Sequence, residues 1–358
     1  MQCCEEAERV CRWERLAFEY ENPSEHVTPQ LMSNSEAGCW CDTVTATSGR
    51  AMTLKDRCVE CVNHEFRAES MGLEHPTPRS FLCSQWPVNQ KVYVIYRVLV
   101  ALGFLAWLIA DVIYETRTFF REHTYTYLIY ATNWSFMLLT LTSLLMAICV
   151  LYYSIRSGEC LDSQTFERMP RALKVQWLLQ TISYNSAMVV TVSYWSYIGV
   201  LDKSEVFKST SSEVKHTLNT VYVILDVLIS GSPFRILHLL YTVGLGSVYS
   251  LFNAVYFLND GTILEGRHYA YNLLDWGKPS EAIVTCVLCV VLCVFAQIVL
   301  YELYRIRFFI YKCIYFGSDS ITKSDSEMHR IMAAETDTPA YQTIEERGDR
   351  TLSEISEE

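Results

Sequence analysis

H-T-L-N-T-V-Y-V-I-L-D, residues 216–226, is the stretch that decides the fold. It has the apolar content of a membrane helix, yet at 100° per residue four polar side chains fall within about 120° of arc: His216, Asn219, Tyr222 and Asp226. The opposite side is apolar and carries Leu218, Val221, Ile224, Leu225 and Leu228. An ionisable group that faces lipid costs at least ~2.5 kcal/mol. We therefore expect this helix to turn its polar stripe inward, with other membrane spans packed around it.

The rest of the chain supplies those other spans. It has 358 residues, of which 51% are hydrophobic. Six apolar runs approach the ~20 residues that cross a bilayer: residues 92–113, 125–153, 175–201, 214–229, 234–258 and 282–304, the last extendable to 311. They predict an all-α protein, a six-span transmembrane helix bundle over residues 86–312. A polar, Cys-rich and loosely ordered N-terminal region, residues 1–85, precedes it, and an acidic disordered tail, residues 313–358, follows it.

Charge distribution predicts the orientation. Near the spans, 11 Lys and Arg residues lie on one side of the membrane and 7 on the other. The positive-inside rule then places both termini in the cytoplasm, which agrees with an even number of spans. The net charge of −11 is concentrated in the tails and argues against nucleic acid as a partner. Met1 is not followed by a basic start and an apolar core, so no signal peptide is predicted.

The N-terminal region has cysteines in a partly zinc-like arrangement. Cys39-x-Cys41 and Cys58-x-x-Cys61, followed by His64, could bind zinc through thiolates and an imidazole. Reduced, unpaired cytosolic thiols are the alternative, and we favour it. An amphipathic helix is predicted over residues 5–20. No phosphate loop, nucleotide fingerprint or other metal pattern is found, so no cofactor is expected.

Polar residues at membrane depth are the candidate site. Thr132 and Asn133 lie about two turns into the second span from its outer end, and at 1.5 Å per residue Thr132 lies ~10 Å and Asn219 ~8 Å from the outer ends of their helices. A threonine hydroxyl and a nearby imidazole, that of His216, can act as nucleophile and base. Such side chains also hydrogen-bond across helices as purely structural contacts, which is the simpler explanation.

Two further features border this site. The last outer loop, from Asn259 to Pro279, is rich in Gly and aromatic residues, so we expect a folded lid over the pocket, with Asp275 and Trp276 near its end. Cys286, Cys289 and Cys293 share one face of the sixth span, which indicates close helix packing there. Asn133, Tyr222 and Asp226 would complete the polar pocket.

Several ordered stretches resemble the rolling stone family of multi-span membrane proteins. The resemblance is carried by Ser84-Gln85-Trp86-Pro87 with Tyr96-Arg97, Ala131-Thr132-Asn133-Trp134, Trp177-Leu178-Leu179-Gln180, Leu218-Asn219-Thr220 with Asp226, Pro233-x-Arg235-x-x-His238, and Leu274-Asp275-Trp276-x-x-Pro279. It covers about residues 81–310, and residues 30–80 would then be an insertion peculiar to this chain. The resemblance implies a plasma-membrane protein, since the founding member is tied to myoblast fusion.

A more distant similarity links the chain to androgen-induced membrane proteins that hydrolyse branched fatty-acid esters. Those use an intramembrane threonine as nucleophile and a histidine as its partner, and Thr132 matches the threonine. Their H-x-x-H-T pattern corresponds to His216-Thr217-Leu218-Asn219-Thr220, which reads H-x-x-N-T. Asn219 then stands at the catalytic histidine and His216 at the non-catalytic one. Either His216 substitutes for it, or the hydrolase has become a binding scaffold.

The sequence thus leaves two functions open. The first is a non-enzymatic role in cell–cell contact or myoblast fusion, with membrane lipid and another membrane protein as partners. The second is an intramembrane lipid-ester hydrolase, with Thr132 as nucleophile, His216 as base, and Asn219 as an orienting or oxyanion group. A transporter is disfavoured, because no internal repeat or pair of broken helices is visible. The distance from His216 to Thr132 should separate the first two.

Overall fold

Six long helices form the structure, a computed structural model that describes residues 65–121, 123–157, 168–198, 205–263 and 266–336. The helices are α1 (Gln90–Thr118), α2 (Ala131–Ser157), α3 (Arg171–Ser193), α4 (Thr210–Ile229), α5 (Leu239–Leu258) and α6 (Pro279–Thr336). Short 3₁₀ helices occupy Ala68–Met71, Pro78–Phe81, Thr124–Ile129, Ile236–His238 and Asn272–Leu274, a π turn follows α3 at Tyr194–Ile198, and one helical turn, Glu205–Lys208, precedes α4. No β-strand occurs in these ranges.

Four of the helices are long and apolar enough to cross a membrane. They span Gln90–Thr118, Ala131–Arg156, Ile236–Leu258 and Pro279–Tyr311. The chain is therefore an all-helical membrane protein with four candidate spans among its described residues. Helices α3 and α4, which the sequence also predicted to span, are less apolar because both carry polar side chains on the faces that they bury.

Burial explains that polarity. Helix α3 buries Gln176, Gln180, Thr181, Ser183 and Asn185, and α4 buries Lys215, His216, Asn219 and Asp226. Large apolar side chains of the four apolar helices point outward instead, among them Leu99 of α1, Ile148 of α2, Leu251 of α5 and Leu288 of α6, each at least half exposed. The inward-facing stripe predicted for α4 is confirmed.

Local sequence determines where α4 begins and where it ends. At its start, Ser209 accepts a hydrogen bond from the backbone N–H of Ser212, an N-cap that satisfies one free donor. The helix ends at Ile229, just before the Gly231-Ser232-Pro233 break that the sequence predicted. A Cβ at Gly231 would lie 2.6 Å from the carbonyl oxygen of Ser80, so only glycine allows this close approach.

The segment from 65 to 86 covers the helix ends on the side where α1 begins and α4 ends, called the inner side after the predicted orientation. Phe81 and Leu82 are fully buried, and Trp86 donates from its indole to the carbonyl of Leu228 at 2.8 Å. The Arg235 guanidinium donates to the carbonyls of Gly72 and Glu74 at 2.9 and 3.0 Å. The prediction of a loosely ordered region does not hold for residues 65–85, because their apolar side chains complete the inner end of the core.

Among the described residues, those from 65 to 307 contain the bundle and form one compact unit, and a second unit begins at Phe308. In the second unit, α6 continues to Thr336, so residues 318–336 are helical where a disordered tail was predicted. No proline interrupts this stretch, and extending an existing helix avoids the cost of nucleation. The predicted helix over 5–20, the cysteines from Cys39 to Cys61 with His64, and tail residues 337–358 lie outside the described residues.

Candidate functional site

Thr132 and His216 meet inside the bundle. The Oγ1 of Thr132 lies 3.1 Å from Nε2 of His216, and the two residues are 6% and 3% exposed. The other imidazole nitrogen, Nδ1, lies 2.6 Å from the carbonyl oxygen of Ser212, one turn earlier on α4. Because a carbonyl only accepts, Nδ1 carries the proton and Nε2 presents its lone pair to the threonine hydroxyl. The imidazole is thus set as a hydrogen-bond acceptor for Thr132.

The ring of His216 is also held from the side. Tyr194, in the π turn after α3, stacks on it with ring centroids 3.9 Å apart and planes 16° apart. On the same face of α3, the Thr191 hydroxyl donates to the backbone carbonyl of His216 and shares a 2.7 Å hydrogen bond with Thr220. Helix α3 therefore positions both the imidazole and the backbone of the turn that carries it.

Thr132 is the second residue of α2, and this location matters chemically. The first N–H groups of a helix have no partner within it and favour negative charge. The Tyr271 phenol lies against this terminus. Burial raises its pKa, the hydroxyl and backbone of Thr132 and the backbone of Ala131 oppose this, and the resulting pKa is about 12. Polar groups of α2 and of the outer loop therefore converge on the hydroxyl of Thr132.

Thr132 also forms part of the wall of a cavity of about 340 Å³. The cavity lies between α2, α3, α5, α6 and the Tyr271–Leu274 segment, and none of the described residues that line it is charged. Small residues leave the space open, among them Ser186 of α3, Gly246 of α5 and Cys289 of α6. Cys286 and Cys293 line it as well, so the face predicted to serve close helix packing borders an open space. His216 stands behind Thr132, outside the lining.

A buried charged network adjoins the pair. Lys215 donates to Asp111 at 2.9 Å, to Glu115 at 2.6 Å and to Asn133 at 2.8 Å. All four residues are at most 5% exposed, and Tyr127 adds a 3.0 Å hydrogen bond to Asp111. The sequence prediction found Asn133 and missed the two carboxylates. The sequence feature that could have identified them is a pair of acidic residues four positions apart at the end of an apolar span, where ionisable groups are rare.

The polar stripe of α4 divides into two separate regions. Asp226 lies in the inner half, where it pairs with Arg97 at 2.6 Å and accepts from Tyr96 at 3.0 Å and from Tyr184. Tyr222 packs its ring on Phe104 at 4.7 Å. Neither residue lines the cavity, so neither joins Thr132 in a pocket as predicted. The physical reason is that α4 runs across the whole bundle, so residues ten apart lie at different depths.

The remaining predicted site residues, Asn219, Asp275 and Trp276, lie outside the cavity wall. Asn219 is 6% exposed and its Oδ1 has no hydrogen-bond partner in the described ranges; it does not line the cavity. Trp276 donates to Asn253 of α5 at 3.1 Å, and Asp275 accepts from the N–H of Gly277 at 2.8 Å. These contacts fold the outer loop, as predicted, but the loop residues that reach the cavity are Tyr271 to Leu274.

Comparison with known proteins gives one consistent result. A family model described as Protein rolling stone matches residues 52–319. A protein of Drosophila melanogaster, Protein rolling stone, is 31% identical over 263 residues, which is 72% of this chain and 93% of that protein. No solved structure matches. Since the family match begins at residue 52, residues 52–80 are not an insertion peculiar to this chain.

Proposed function

Because this chain belongs to the rolling stone family, we propose that it is a multi-span plasma-membrane protein that hydrolyses an ester of a membrane lipid. Thr132 is the nucleophile and His216 its base. The observation that carries the proposal is the 3.1 Å contact between the two, with the Nδ1 proton of His216 held by Ser212. A nucleophile within hydrogen-bond reach of a base that a third group orients is the arrangement that covalent catalysis needs.

The reaction follows from this geometry in two steps. Nε2 of His216 takes the hydroxyl proton as Oγ1 of Thr132 attacks the ester carbonyl, and the same proton then passes to the departing alcohol. Water, deprotonated by His216, next cleaves the threonyl ester, releases the carboxylic acid and restores the hydroxyl. The Tyr271 hydroxyl, which the backbone N–H groups of Ala131 and Thr132 contact, is the donor we assign to the oxyanion. Asn219 lies outside the cavity wall, so we give it an orienting role on α4.

A fluorophosphonate probe tests the chemistry directly. We expect membranes that contain the parent to be labelled and Thr132→Ser to keep labelling. Thr132→Val should abolish labelling because no nucleophile remains, and His216→Ala should reduce it roughly 100-fold or more, the size of a general-base contribution. Thr140→Val is the matched control, because Thr140 is a buried hydroxyl of α2 that donates to Phe136 of its own helix. No labelling of a well-expressed parent, beside a labelled known hydrolase, would contradict the proposal.

A second role, in cell–cell contact or myoblast fusion, is favoured by family membership and by the folded outer loop. The Trp276–Asn253 bond and the Tyr256 hydroxyl, which donates to the carbonyl of Thr262 at 2.7 Å, give this loop a defined surface. A partner membrane protein could recognise such a surface. Mixing of cells that express the parent or Thr132→Val distinguishes the roles: contact that survives in the variant does not depend on hydrolysis.

A further inference from the structure

The cavity beside Thr132 reaches the outer surface of the bundle. Besides Ser196 and Asn272 at its loop end, three lining residues are exposed along the side of the bundle: Leu288, at 55%, Cys289 and Gly246. They belong to α5 and α6, the helices on either side of the opening. Both helices have the length and hydropathy of membrane spans, so what surrounds the opening is the hydrocarbon of the bilayer.

The same surface is apolar along its length. Val248, Leu251 and Val255 of α5 and Val284, Val287 and Val291 of α6 are all about half exposed or more. Water has no favourable contacts there, and a lipid chain does. A ligand that enters between α5 and α6 therefore comes from the membrane, not from the aqueous phase.

The shape of the cavity limits what can occupy it. Its lining runs from Thr242 to Ser250 on α5 and from Thr285 to Cys293 on α6. Eight residues of helix correspond to ~12 Å, so the cavity is elongated along the helices. Its volume of 340 Å³ is at the low end of the ~300–1,000 Å³ of small-molecule pockets, which leaves room for one chain and not for a two-chain phospholipid.

Two hydroxyls in the wall indicate the chemistry of the occupant. Ser135, one turn along α2 from Thr132, and Thr242 are 4% and 3% exposed, and neither hydroxyl oxygen has a partner in the described ranges. Burying a hydroxyl without a hydrogen-bond partner is unfavourable. Ser135 lies at the Thr132 end of the cavity, so it favours an occupant whose end carries oxygen atoms, an acyl lipid, over a bare hydrocarbon. Thr242 lies at the other end, along the chain.

We propose that this cavity binds the single chain of an acyl lipid that enters sideways from the bilayer between α5 and α6. The oxygen-bearing end lies near Thr132 and Ser135, and the chain extends toward Thr242. The inference concerns binding alone and holds whether or not Thr132 is a nucleophile.

Gly246 provides a variant that fills the site. A Cβ at this position meets no atom within 4 Å, so Gly246→Leu extends into the cavity opening without displacing the fold. Gly244→Leu is the matched control: it lies on the same helix, has the same free space and is exposed, but it does not line the cavity. Both changes raise helix propensity by the same amount.

The probe is palmitic acid with a diazirine in its chain and a terminal alkyne, added to the full-length protein in phosphatidylcholine nanodiscs. We expect photolabelling of the parent on cavity residues such as Leu245 and Leu292, a roughly tenfold loss in Gly246→Leu because leucine occupies the space of the chain, and no change in Gly244→Leu. Labelling only on outward residues such as Leu251, or equal labelling in both variants, would overturn the proposal.

The outcome is separable from that of the hydrolase. A parent that binds the palmitoyl probe but ignores fluorophosphonate retains this inference and loses the hydrolase. A parent that reacts with fluorophosphonate but takes up no palmitoyl probe in the cavity retains the hydrolase proposal and loses this inference.

Discussion

Lys215 shows how single residues make a charge acceptable inside this bundle. Its ammonium has three protons, and each finds an oxygen, on Asp111, Glu115 and Asn133. A buried charge is tolerated only when it is paired and fully hydrogen-bonded. Lys215 precedes His216, and Asn133 follows Thr132, so the network fixes the backbone on both sides of the candidate catalytic pair. Its main role is to dock α4 against α1 and α2.

Removing this cation should destabilise the protein strongly. Lys215→Met leaves two buried carboxylates without their counter-charge, and breaking a buried pair costs ~3–5 kcal/mol. Lys278→Met is the matched control: Lys278 is 62% exposed and lies 3.9 Å from Glu281, and surface pairs contribute only ~0–1 kcal/mol. Denaturant unfolding in detergent micelles measures both. Similar losses for the two variants would show that the buried network does not hold α4.

At the scale of elements, the inner end of the bundle depends on the segment from 65 to 86. His75 contributes its ring, with centroids 5.6 Å from Phe81 and 5.7 Å from Trp177. Burial, the larger cause, and the charge of Arg235 together lower the pKa of His75 to about 4, against the opposing effect of the hydrogen bond to the Thr77 backbone. The imidazole is therefore neutral in the docked segment.

Acid should loosen that segment. The pKa of His75 is lower in the folded state than the ~6.5 of an unfolded chain, so its contribution is complete above pH ~6.5 and is lost as the pH falls toward 4. His75→Phe keeps an aromatic ring and removes the proton site. We expect the melting temperature of the parent in detergent to fall more between pH 7 and 4.5 than that of the variant. Equal falls would assign the acid sensitivity to other groups.

At the scale of the whole molecule, α3 and α4 form a polar pair within a shell of four apolar helices. They have 23 and 20 residues, and at 1.5 Å per residue each reaches about the ~30 Å of a bilayer core. Their buried side chains bond to one another and to the shell, as Asn185 does to Gln297 of α6 at 2.8 Å. Mean hydropathy therefore underestimates the ability of α3 and α4 to span the membrane, because their polar faces contact protein and not lipid. We propose that both cross the membrane, which gives six spans and cytoplasmic termini.

An inserted glycosylation acceptor decides between six spans and four. If α3 and α4 cross, an Asn-Ser-Thr acceptor in a Gly/Ser linker between Ile198 and Glu205 lies on the outer side and should be glycosylated. The same insertion between Ser157 and Arg171 lies on the cytoplasmic side and should remain unmodified. An acceptor inserted at His268 in the outer loop is the positive control and should be glycosylated in either case. If that acceptor is modified and the one between Ile198 and Glu205 is not, the protein has four spans.

Much of the helical framework was predictable from local pattern. Hydropathy and period predict the four apolar spans, and the stripe on α4 predicts which side faces inward. Gly231 and Pro233 predict where that helix ends. Thr132 and His216 were expected at similar depth because each lies near the outer start of its helix. These features depend on neighbours along the chain, which a sequence displays directly. The length of α6 was missed, since its polar composition resembles that of a disordered tail.

The sequence alone determined that this protein is helical, that it enters a membrane and that one helix turns polar groups inward, because transfer free energy and helical period act residue by residue. Only the tertiary structure decided which groups meet. In the structure Thr132 contacts His216 and not Asn219, and Asp226 forms an ion pair with Arg97. Small residues line a cavity beside Thr132. A hydrogen bond tolerates a few tenths of an ångström, and adjacent helix positions differ by 100°. Such contacts depend on how separate helices pack, which no local pattern records.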